Sequence, residues 1–289
     1  MNTVRTVADV RAALRPARLA ERSIGLVPTM GALHEGHLSL IRHARATCDV
    51  VVVSLFVNPA QFNDAADLAA YPRDEARDAA LAAEAGADLL FAPAPDEVYP
   101  PGFATTVHVE GLTATLEGAH RGVAHFDGVA TVVAKLLNMV GPDIAFFGQK
   151  DAQQALVVRR LVRDLDIPAR IEVRPTVREP DGLALSSRNV HLDGADRERA
   201  LALRDALRAA EAALASGERD AGALRDAALA AMHGHGVEPD YLEVVDSDDL
   251  SPVARVDGEA LLAVAARVGP TRLIDNTILS TNGKGGTRP

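Results

Sequence analysis

The chain has 289 residues and a formal net charge of −10, and 48% of its residues are hydrophobic. This length predicts one large and one smaller domain, with ample apolar content for a core. The negative charge argues against general affinity for nucleic acids or anionic membranes, so anionic substrates would need a locally positive site. We expect no signal peptide, since no N-terminal stretch combines a basic start with an apolar core, and no membrane span, since no run approaches roughly 20 apolar residues. The single cysteine excludes an internal disulfide and fits a cytoplasmic location.

Strand and helix patterns alternate through the first 175 residues. The residue patterns predict strands at 24–27, 50–56, 87–92, 105–109, 143–147 and 169–173, and helices at 3–15, 38–47, 71–86, 112–116, 129–140 and from about 152. This alternation predicts an α/β fold with a Rossmann-like, doubly wound parallel sheet. In such sheets, ligands bind at the carboxyl ends of the strands.

The rest of the chain has a different pattern. Two alanine- and arginine-rich helices are predicted near 195–216 and 221–234, followed by strands at 241–245, 260–268 and 271–279. We therefore predict a Rossmann-like domain over 1–178 and a smaller α+β C-terminal domain over 179–280. Residues 281–289 are predicted to be a disordered tail.

The turn after the first core strand, PTMGALHEGH at residues 28–37, is the strongest functional signal. Gly31 and Gly36 allow close approach of backbone and ligand, and the following helix points free N–H groups at the turn, which suits a phosphate. His34 and His37 share one helix face and can donate to phosphate oxygens. A helix cap or a surface pair is the alternative for these histidines. A zinc site is a third possibility, but no Glu or Cys at ligand spacing completes it.

Other polar residues follow the predicted strands. Gln61 suits a substrate with hydroxyl and carboxylate groups because its amide both donates and accepts. Lys150 follows the strand at 143–147 and is placed to meet a phosphate, and Gln153 and Gln154 open the next helix. For Gln61 and Lys150, an ordinary solvated position is the alternative.

Three further candidates lie elsewhere along the chain. Asp78, in an acidic helix start, either faces magnesium or only complements the helix dipole. The loop at 117–125 is a candidate lid from which Arg121 and His125 could reach phosphates, or it is simply solvated. The turn with Ser186, Ser187 and Arg188 offers hydroxyls and a bidentate cation to a second phosphate, or it is a capping turn.

Two of these motifs resemble a known pair. HEGH at 34–37 resembles the HxGH signature of nucleotidyl-transferring enzymes related to class I aminoacyl-tRNA synthetases, and the loop at 181–189 resembles the mobile KMSKS-type loop that accompanies it. The segments 28–37, 56–62, 71–73, 148–154 and 176–189 together resemble the pantoate–β-alanine ligase family across residues 3–279.

That resemblance implies a homodimer whose protomers have a Rossmann-type domain and a smaller C-terminal domain. It also implies two half-reactions. Pantoate and ATP give pantoyl adenylate and pyrophosphate, and the amine of β-alanine then displaces AMP. Magnesium would bridge phosphate oxygens.

Carried over residue by residue, the resemblance gives His37, His34, Lys150 and Arg188 catalytic roles. Gln61 and Gln154 would bind pantoate, and Gln61 also β-alanine. The nucleotide would contact Met30, Gly31, Ala32, Leu33, His34, Glu35, Gly36, His37, Gly148, Gln149, Lys150, Asp151, Val177, Leu185, Ser186, Ser187 and Arg188.

The chain departs from the family pattern at two places. Gln149 stands where the family usually has Glu, and the segment 121–126 is one residue longer than usual and lacks a proline, which puts the role of Arg121 in doubt. Two other functions share the motifs: a nucleotidylyltransferase acting on a phosphorylated acceptor, and a nucleotide-binding regulator without catalysis. Gln61 and Gln154 argue against the first, since a phosphate would require cations there. The complete set of His34, His37, Lys150 and Arg188 argues against the second.

Overall fold

The computed structural model describes residues 1–281. The chain divides into two compact units, the first comprising residues 1–148 and 153–174, and the second 149–152 and 175 onward. The predicted tail lies outside the described residues from position 282.

The first unit is built on a six-stranded parallel sheet flanked by helices. The strands are β1 (Asn2–Val4), β2 (Ile24–Thr29), β3 (Val50–Leu55), β4 (Leu89–Phe91), β5 (Ile144–Gly148) and β6 (Arg170–Arg174), in the order β1-β4-β3-β2-β5-β6. The helices are α1 (Val7–Leu19), α2 (Glu35–Thr47), α3 (Ala65–Ala70), α4 (Glu75–Glu84), α5 (Pro95–Val98), α6 (Glu117–Arg121), α7 (Val123–Val140) and α8 (Ala152–Asp164), of which Ala152 belongs to the second unit. The predicted doubly wound sheet is confirmed.

The order of the strands reverses between β2 and β5. These two strands pair only at Gly25 with Ile144 and Leu26 with Ala145, although both continue towards their carboxyl ends. Open parallel sheets bind ligands in the crevice at such a reversal. The signature turn that follows β2 therefore begins at the expected place for a ligand.

Several predicted elements differ from the structure. Residues 2–4 form a strand paired with β4, and the first helix starts only at Val7, capped by Thr6. Residues 105–109 form no strand; Val107 instead donates its N–H to the hydroxyl of Thr131. Residues 112–116 form turns, and the helix predicted at 71–86 is shorter, with α3 as a separate helix before it. These differences arise because partners distant in sequence, which local patterns do not contain, decide the conformation.

Among the described residues, α7 alone has the length and hydropathy of a membrane span, with a mean hydropathy of 1.3. However, 67% of this helix is buried inside the protein. Its apolar residues are therefore accounted for by the core of a folded unit.

The second unit packs helices on an antiparallel sheet, as predicted. The sheet contains β7 (Pro239–Asp246), β8 (Glu259–Val268) and β9 (Thr271–Ser280), with β8 in the centre. The helices are α9 (Gly194–Ala200), α10 (Ala202–Ala215) and α11 (Ala221–Gly234). Leu203, Leu207 and Leu224 are almost fully buried in a core shared with Leu262 and Val264 of β8.

Candidate functional site

The carboxylate of Asp78 holds the signature turn. Its two oxygens accept the backbone N–H groups of Ala32 and Leu33 at 2.9 and 2.8 Å, and the side chain is 1% exposed. Gly31 and Ala32 both have positive φ, 91° and 50°. A Cβ on Gly31 would lie 3.0 Å from the carboxylate of Asp78, so glycine is required for this close approach. The buried carboxylate therefore fixes the unusual backbone of the turn.

The two histidines of the signature turn form a reciprocal cap at the start of α2. Nδ1 of His34 accepts the N–H of Gly36 at 3.2 Å, and Nδ1 of His37 accepts the N–H of His34 at 3.3 Å. Their ring centroids are 4.1 Å apart. Because Nδ1 is an acceptor in both rings, a neutral ring carries its proton on Nε2, which makes Nε2 a donor. The helix cap, the alternative given for these histidines, is therefore present, and it involves only Nδ1 of each ring.

Gln61 belongs to a network whose centre, Asn58, was missed in the sequence analysis. The Nδ2 group of Asn58 donates to Oε1 of Gln61 and to the carbonyl of Gly128, both at 3.0 Å. Its Oδ1 accepts from Ala60 N–H at 3.2 Å and from the Tyr99 hydroxyl at 2.8 Å. Backbone N–H groups only donate and carbonyls only accept, so the orientation of the Asn58 amide is determined.

This orientation determines which end of Gln61 is available. Oε1 of Gln61 is taken by Asn58, and its Nε2 lies 3.1 Å from the sulfur of Met30 in the signature turn. Gln61 therefore presents a donor, which suits an oxygen acceptor such as a carboxylate. Burial raises the pKa of Tyr99 to about 12, so its hydroxyl stays protonated and able to donate at neutral pH. An Asn directly before Pro59 was the available sequence signal for a local cap.

The segment predicted as a lid is packed in the first unit. Arg121 Nε donates to the buried Glu117 at 2.7 Å, and Nδ1 of His125 donates to the carbonyl of Gln61 at 2.7 Å. Gln153 is 5% exposed and donates to the carbonyls of Leu112 and Thr115. These side chains support the loop and the Gln61 segment, whereas the half-buried Gln154 lies one residue further along α8.

A cleft of about 360 Å³ adjoins the signature turn in the first unit. Its lining includes Met30 and Gly31 of the signature turn and their anchor Asp78, together with Phe56 and Pro93, which follow β3 and β4. The cleft opens at the carboxyl ends of β2, β3 and β4, so it lies on the β3 side of β2, whereas the reversal of strand order lies on the β5 side.

In the second unit, Asn276 of β9 holds the turn that contains Lys150. Its Nδ2 donates to the carbonyls of Gln149 and Lys150, both at 2.9 Å, and its Oδ1 accepts from Gln149 Nε2 at 3.0 Å. Asn276 is 5% exposed. The departure at Gln149 is thus accommodated by a reciprocal pair of amides.

The loop with Ser186 and Arg188 is tied down upstream and downstream. Arg178 makes two hydrogen bonds, of 2.6 and 2.9 Å, with the buried carboxylate of Asp275. Asn189 donates to Glu179 at 2.6 Å and to the carbonyl of Ala184 at 3.0 Å. Between these anchors, the Ser186 hydroxyl accepts the N–H of Arg188 at 3.2 Å, and the Arg188 side chain is exposed.

A charge cluster stabilises the same loop. Arg197 donates to Glu179 at 2.7 Å and to Asp181 at 2.5 Å. The hydrogen bond from Arg197 lowers the pKa of Glu179, and Asn189 adds to this effect against the opposing cost of burial. The pKa of Asp181 is also lowered: burial, its largest influence, raises it, but Arg197 and the N–H of Leu183 outweigh burial together.

The predicted site residues divide between the units. The first unit contains Met30, Gly31, Ala32, Leu33, His34, Glu35, Gly36, His37, Gln61, Asp78, Gly148 and Gln154. The second contains Gln149, Lys150, Asp151, Val177, Leu185, Ser186, Ser187 and Arg188. Glu35 is exposed and paired with Arg42 at 2.6 Å, which gives it a surface role beside any contact with a nucleotide.

The role of Asp78 as a magnesium ligand stays a prediction. Both of its oxygens already accept N–H groups, and nowhere in residues 1–281 do three His, Cys, Asp or Glu side chains form a metal-binding group. What the structure shows of Asp78 is that it anchors the signature turn.

Comparison with known proteins agrees with this arrangement. The family model described as pantoate-beta-alanine ligase matches residues 2–278. The chain belongs to the pantoate–β-alanine ligase family.

Relatives and solved structures of this family resemble the chain over nearly its whole length. A protein of Cereibacter sphaeroides named pantothenate synthetase is 56% identical over 94% of this chain and 98% of its own. The crystal structure of pantothenate synthetase from Thermus thermophilus has a TM-score of 0.90 at 49% identity, covering 96% of this chain and 99% of its own. The pantoate–β-alanine ligase of Francisella tularensis, complexed with β,γ-ATP and β-alanine, has a TM-score of 0.78 at 34% identity, covering 96% and 97%.

Proposed function

We propose that this chain condenses (R)-pantoate with β-alanine to give pantothenate, consuming ATP and releasing AMP and pyrophosphate. The family supports this activity, and the Francisella tularensis relative is complexed with β,γ-ATP and β-alanine. The observation in the chain itself that carries the proposal is the cap of His34 and His37. Both rings accept a backbone N–H through Nδ1 at the N-terminus of α2, the kind of position where phosphates bind, so a neutral ring carries its proton on Nε2.

In the first half-reaction, a carboxylate oxygen of pantoate attacks the α-phosphorus of ATP and pyrophosphate leaves. The protein has to hold the groups in line and stabilise the developing negative charge, and no covalent nucleophile is needed. His34, His37, Lys150 and Arg188 supply donors and positive charge, and the hydroxyls of Ser186 and Ser187 supplement them. The rest of the proposed nucleotide site consists of Met30, Gly31, Ala32, Leu33, Glu35, Gly36, Gly148, Gln149, Asp151, Val177 and Leu185.

In the second half-reaction, the amine of β-alanine attacks the acyl carbon of pantoyl adenylate and AMP leaves. Gln61 and Gln154 are proposed to hold the pantoyl group, and Gln61 to contact β-alanine as well. The Nε2 donor of Gln61 fits this role because the Asn58 amide determines its direction.

Three further properties belong to the same proposal. Magnesium would enter bound to the phosphates of ATP and keep much of its water shell, and Asp78 is the residue of this chain proposed to face it. The enzyme is proposed to form a homodimer and to work in the cytoplasm. Sedimentation at equilibrium and cell fractionation test these two properties.

Measuring pyrophosphate release with ATP and pantoate, with and without β-alanine, tests the function. Release that requires pantoate supports the proposal, and release with a phosphorylated acceptor in place of pantoate would favour a nucleotidylyltransferase. His37→Ala or Lys150→Ala is expected to slow adenylate formation on the order of 100-fold while the fold survives. His233→Ala, which removes an exposed imidazole of α11, is the control that should retain the wild-type rate. A wild-type rate in either test variant would remove that residue from the mechanism.

A further inference from the structure

Two adjacent residues of β9 contact both phosphate-binding segments of the second unit. Asn276 donates to the backbone carbonyls of Gln149 and Lys150, both at 2.9 Å, and accepts from the Gln149 side-chain amide at 3.0 Å. Asp275 binds Arg178, at the start of the loop that leads to Arg188, through two hydrogen bonds. Successive side chains of a strand leave on opposite faces, so a single strand can hold two segments.

The connection from Asp275 to Arg188 is short and consists of direct contacts. Arg178 also donates to the carbonyl of Gly182 at 3.1 Å, which closes the hairpin between residues 178 and 184. Asn189 then binds Ala184 and Glu179, so the residue after Arg188 is attached to the same hairpin. The backbone on the N-terminal side of Arg188 is bonded through the Ser186 hydroxyl.

Burial strengthens both anchors. Asp275 is 3% exposed and Asn276 5% exposed, so water competes little for their hydrogen bonds. The N–H of Asn276 also donates to Oδ1 of Asp275 at 2.8 Å, which couples the two side chains.

We propose that Asp275 and Asn276 are positioning residues for adenylate formation, which hold the backbones of Lys150 and Arg188 at one fixed spacing for a single polyphosphate. This inference rests on the proposed function, and it assigns neither residue a contact with substrate. Lysine and arginine side chains lose much conformational freedom when they grip a ligand, so a fixed backbone spacing lowers the cost of binding the displaced pyrophosphate. A misplacement of about 1 Å is sufficient to cost a reaction about 100-fold in rate.

The test uses the full chain and measures pantoate-dependent exchange of pyrophosphate into ATP. Asn276→Ala is expected to lower the exchange rate about 10- to 100-fold, while the KM for pantoate stays within about threefold. The matched control is Thr277→Val, on the same strand, whose lost hydroxyl donates at 2.7 Å to Glu211, a residue outside both segments. This control should exchange at the wild-type rate.

A second comparison separates positioning from general destabilisation. When Lys150 is already replaced by alanine, adding Asn276→Ala should lower the exchange rate by less than about a further threefold, because the effect of Asn276 passes through Lys150. When Arg188 is already replaced by alanine, adding Asp275→Asn should likewise lower the exchange rate only slightly further. If the two residues only stabilised the fold, their replacement would instead lower the thermal midpoint, and it would lower the exchange rate in both backgrounds by the same factor as in the wild type.

The outcomes are distinct. Full additivity, or a wild-type exchange rate in folded Asn276→Ala, would overturn the inference and leave the proposed function intact. Absence of pantoate-dependent exchange in the wild type would defeat the proposed function itself. If Asn276→Ala does not fold, Asn276→Asp provides the same comparisons, because it keeps the shape and the acceptor for Gln149 but removes both donors to the carbonyls.

Discussion

Replacing Asp78 by asparagine tests how the signature turn is held. The carboxylate accepts two backbone N–H groups, from Ala32 and Leu33, and is 1% exposed. Asparagine has the same shape but only one oxygen, so one N–H would face an amide NH2. A hydrogen bond to a charged group contributes about 1.5–3 kcal/mol, and an unsatisfied buried donor costs a similar amount. We therefore expect Asp78→Asn to lower the free energy of unfolding by about 3 kcal/mol.

Thermal unfolding followed by circular dichroism measures this loss. For a domain of this size, about 3 kcal/mol corresponds to a fall in Tm of about 6–12 °C. The affinity for ATP should fall as well, because the turn bearing His34 and His37 loses its anchor. Asp67→Asn, an exposed residue of α3, is the charge-matched control and should melt like the wild type. The fall in Tm should not depend on the concentration of magnesium. A wild-type Tm and a wild-type affinity for ATP in Asp78→Asn would refute the reasoning.

Three further predictions concern other contacts. Asn58→Ala should raise the KM for pantoate about 10-fold or more with little change in the KM for ATP, because Gln61 loses the group that orients its amide; equal changes in both constants would contradict this. Glu179 has a lowered pKa beside Arg197, so its contribution to stability is present above the unfolded pKa of about 4.3 and is lost as pH falls through the lower folded value. Urea titrations between pH 6 and pH 3 (about the range these pKa values set) should therefore show a steeper loss of stability in the wild type than in Arg197→Met, and parallel curves would contradict the assignment. Tyr99→Phe should remove a phenolate absorbance step with a pKa of about 12 from the alkaline titration; burial raises this pKa, so stability is retained below the unfolded value near 10 and lost as pH rises towards 12.

The central elements were predictable because their patterns are local. The β-branched run that forms β3 and the Gly- and His-containing turn before α2 each specify their structure within a few residues. The three C-terminal strands were found for the same reason. By contrast, β1 is a strand only because it pairs with β4, about 85 residues away in the sequence, and its three residues have no pattern of their own.

The supporting residues of the site were missed for a similar reason. Asn58 and Tyr99 meet across 41 positions of sequence, and Asn276 meets Lys150 across 126. Asp78 was noticed in the sequence as a helix-dipole partner or a magnesium ligand, but its contacts with the turn were not predicted, because an acidic helix start gives no sign that residues 31–33 lie beside it. Sequence motifs reveal residues that face a ligand, whereas the residues that hold those motifs become visible only in the fold.

Isotope transfer from pantoate tests the central claim most directly. Pantoate labelled with oxygen-18 in its carboxylate is incubated with ATP, β-alanine and the enzyme, and the AMP is examined by mass spectrometry. If the carboxylate attacks the α-phosphorus, one labelled oxygen appears in AMP and the amide of the product retains the other. Unlabelled AMP, or label in phosphate or pyrophosphate instead, would contradict the account.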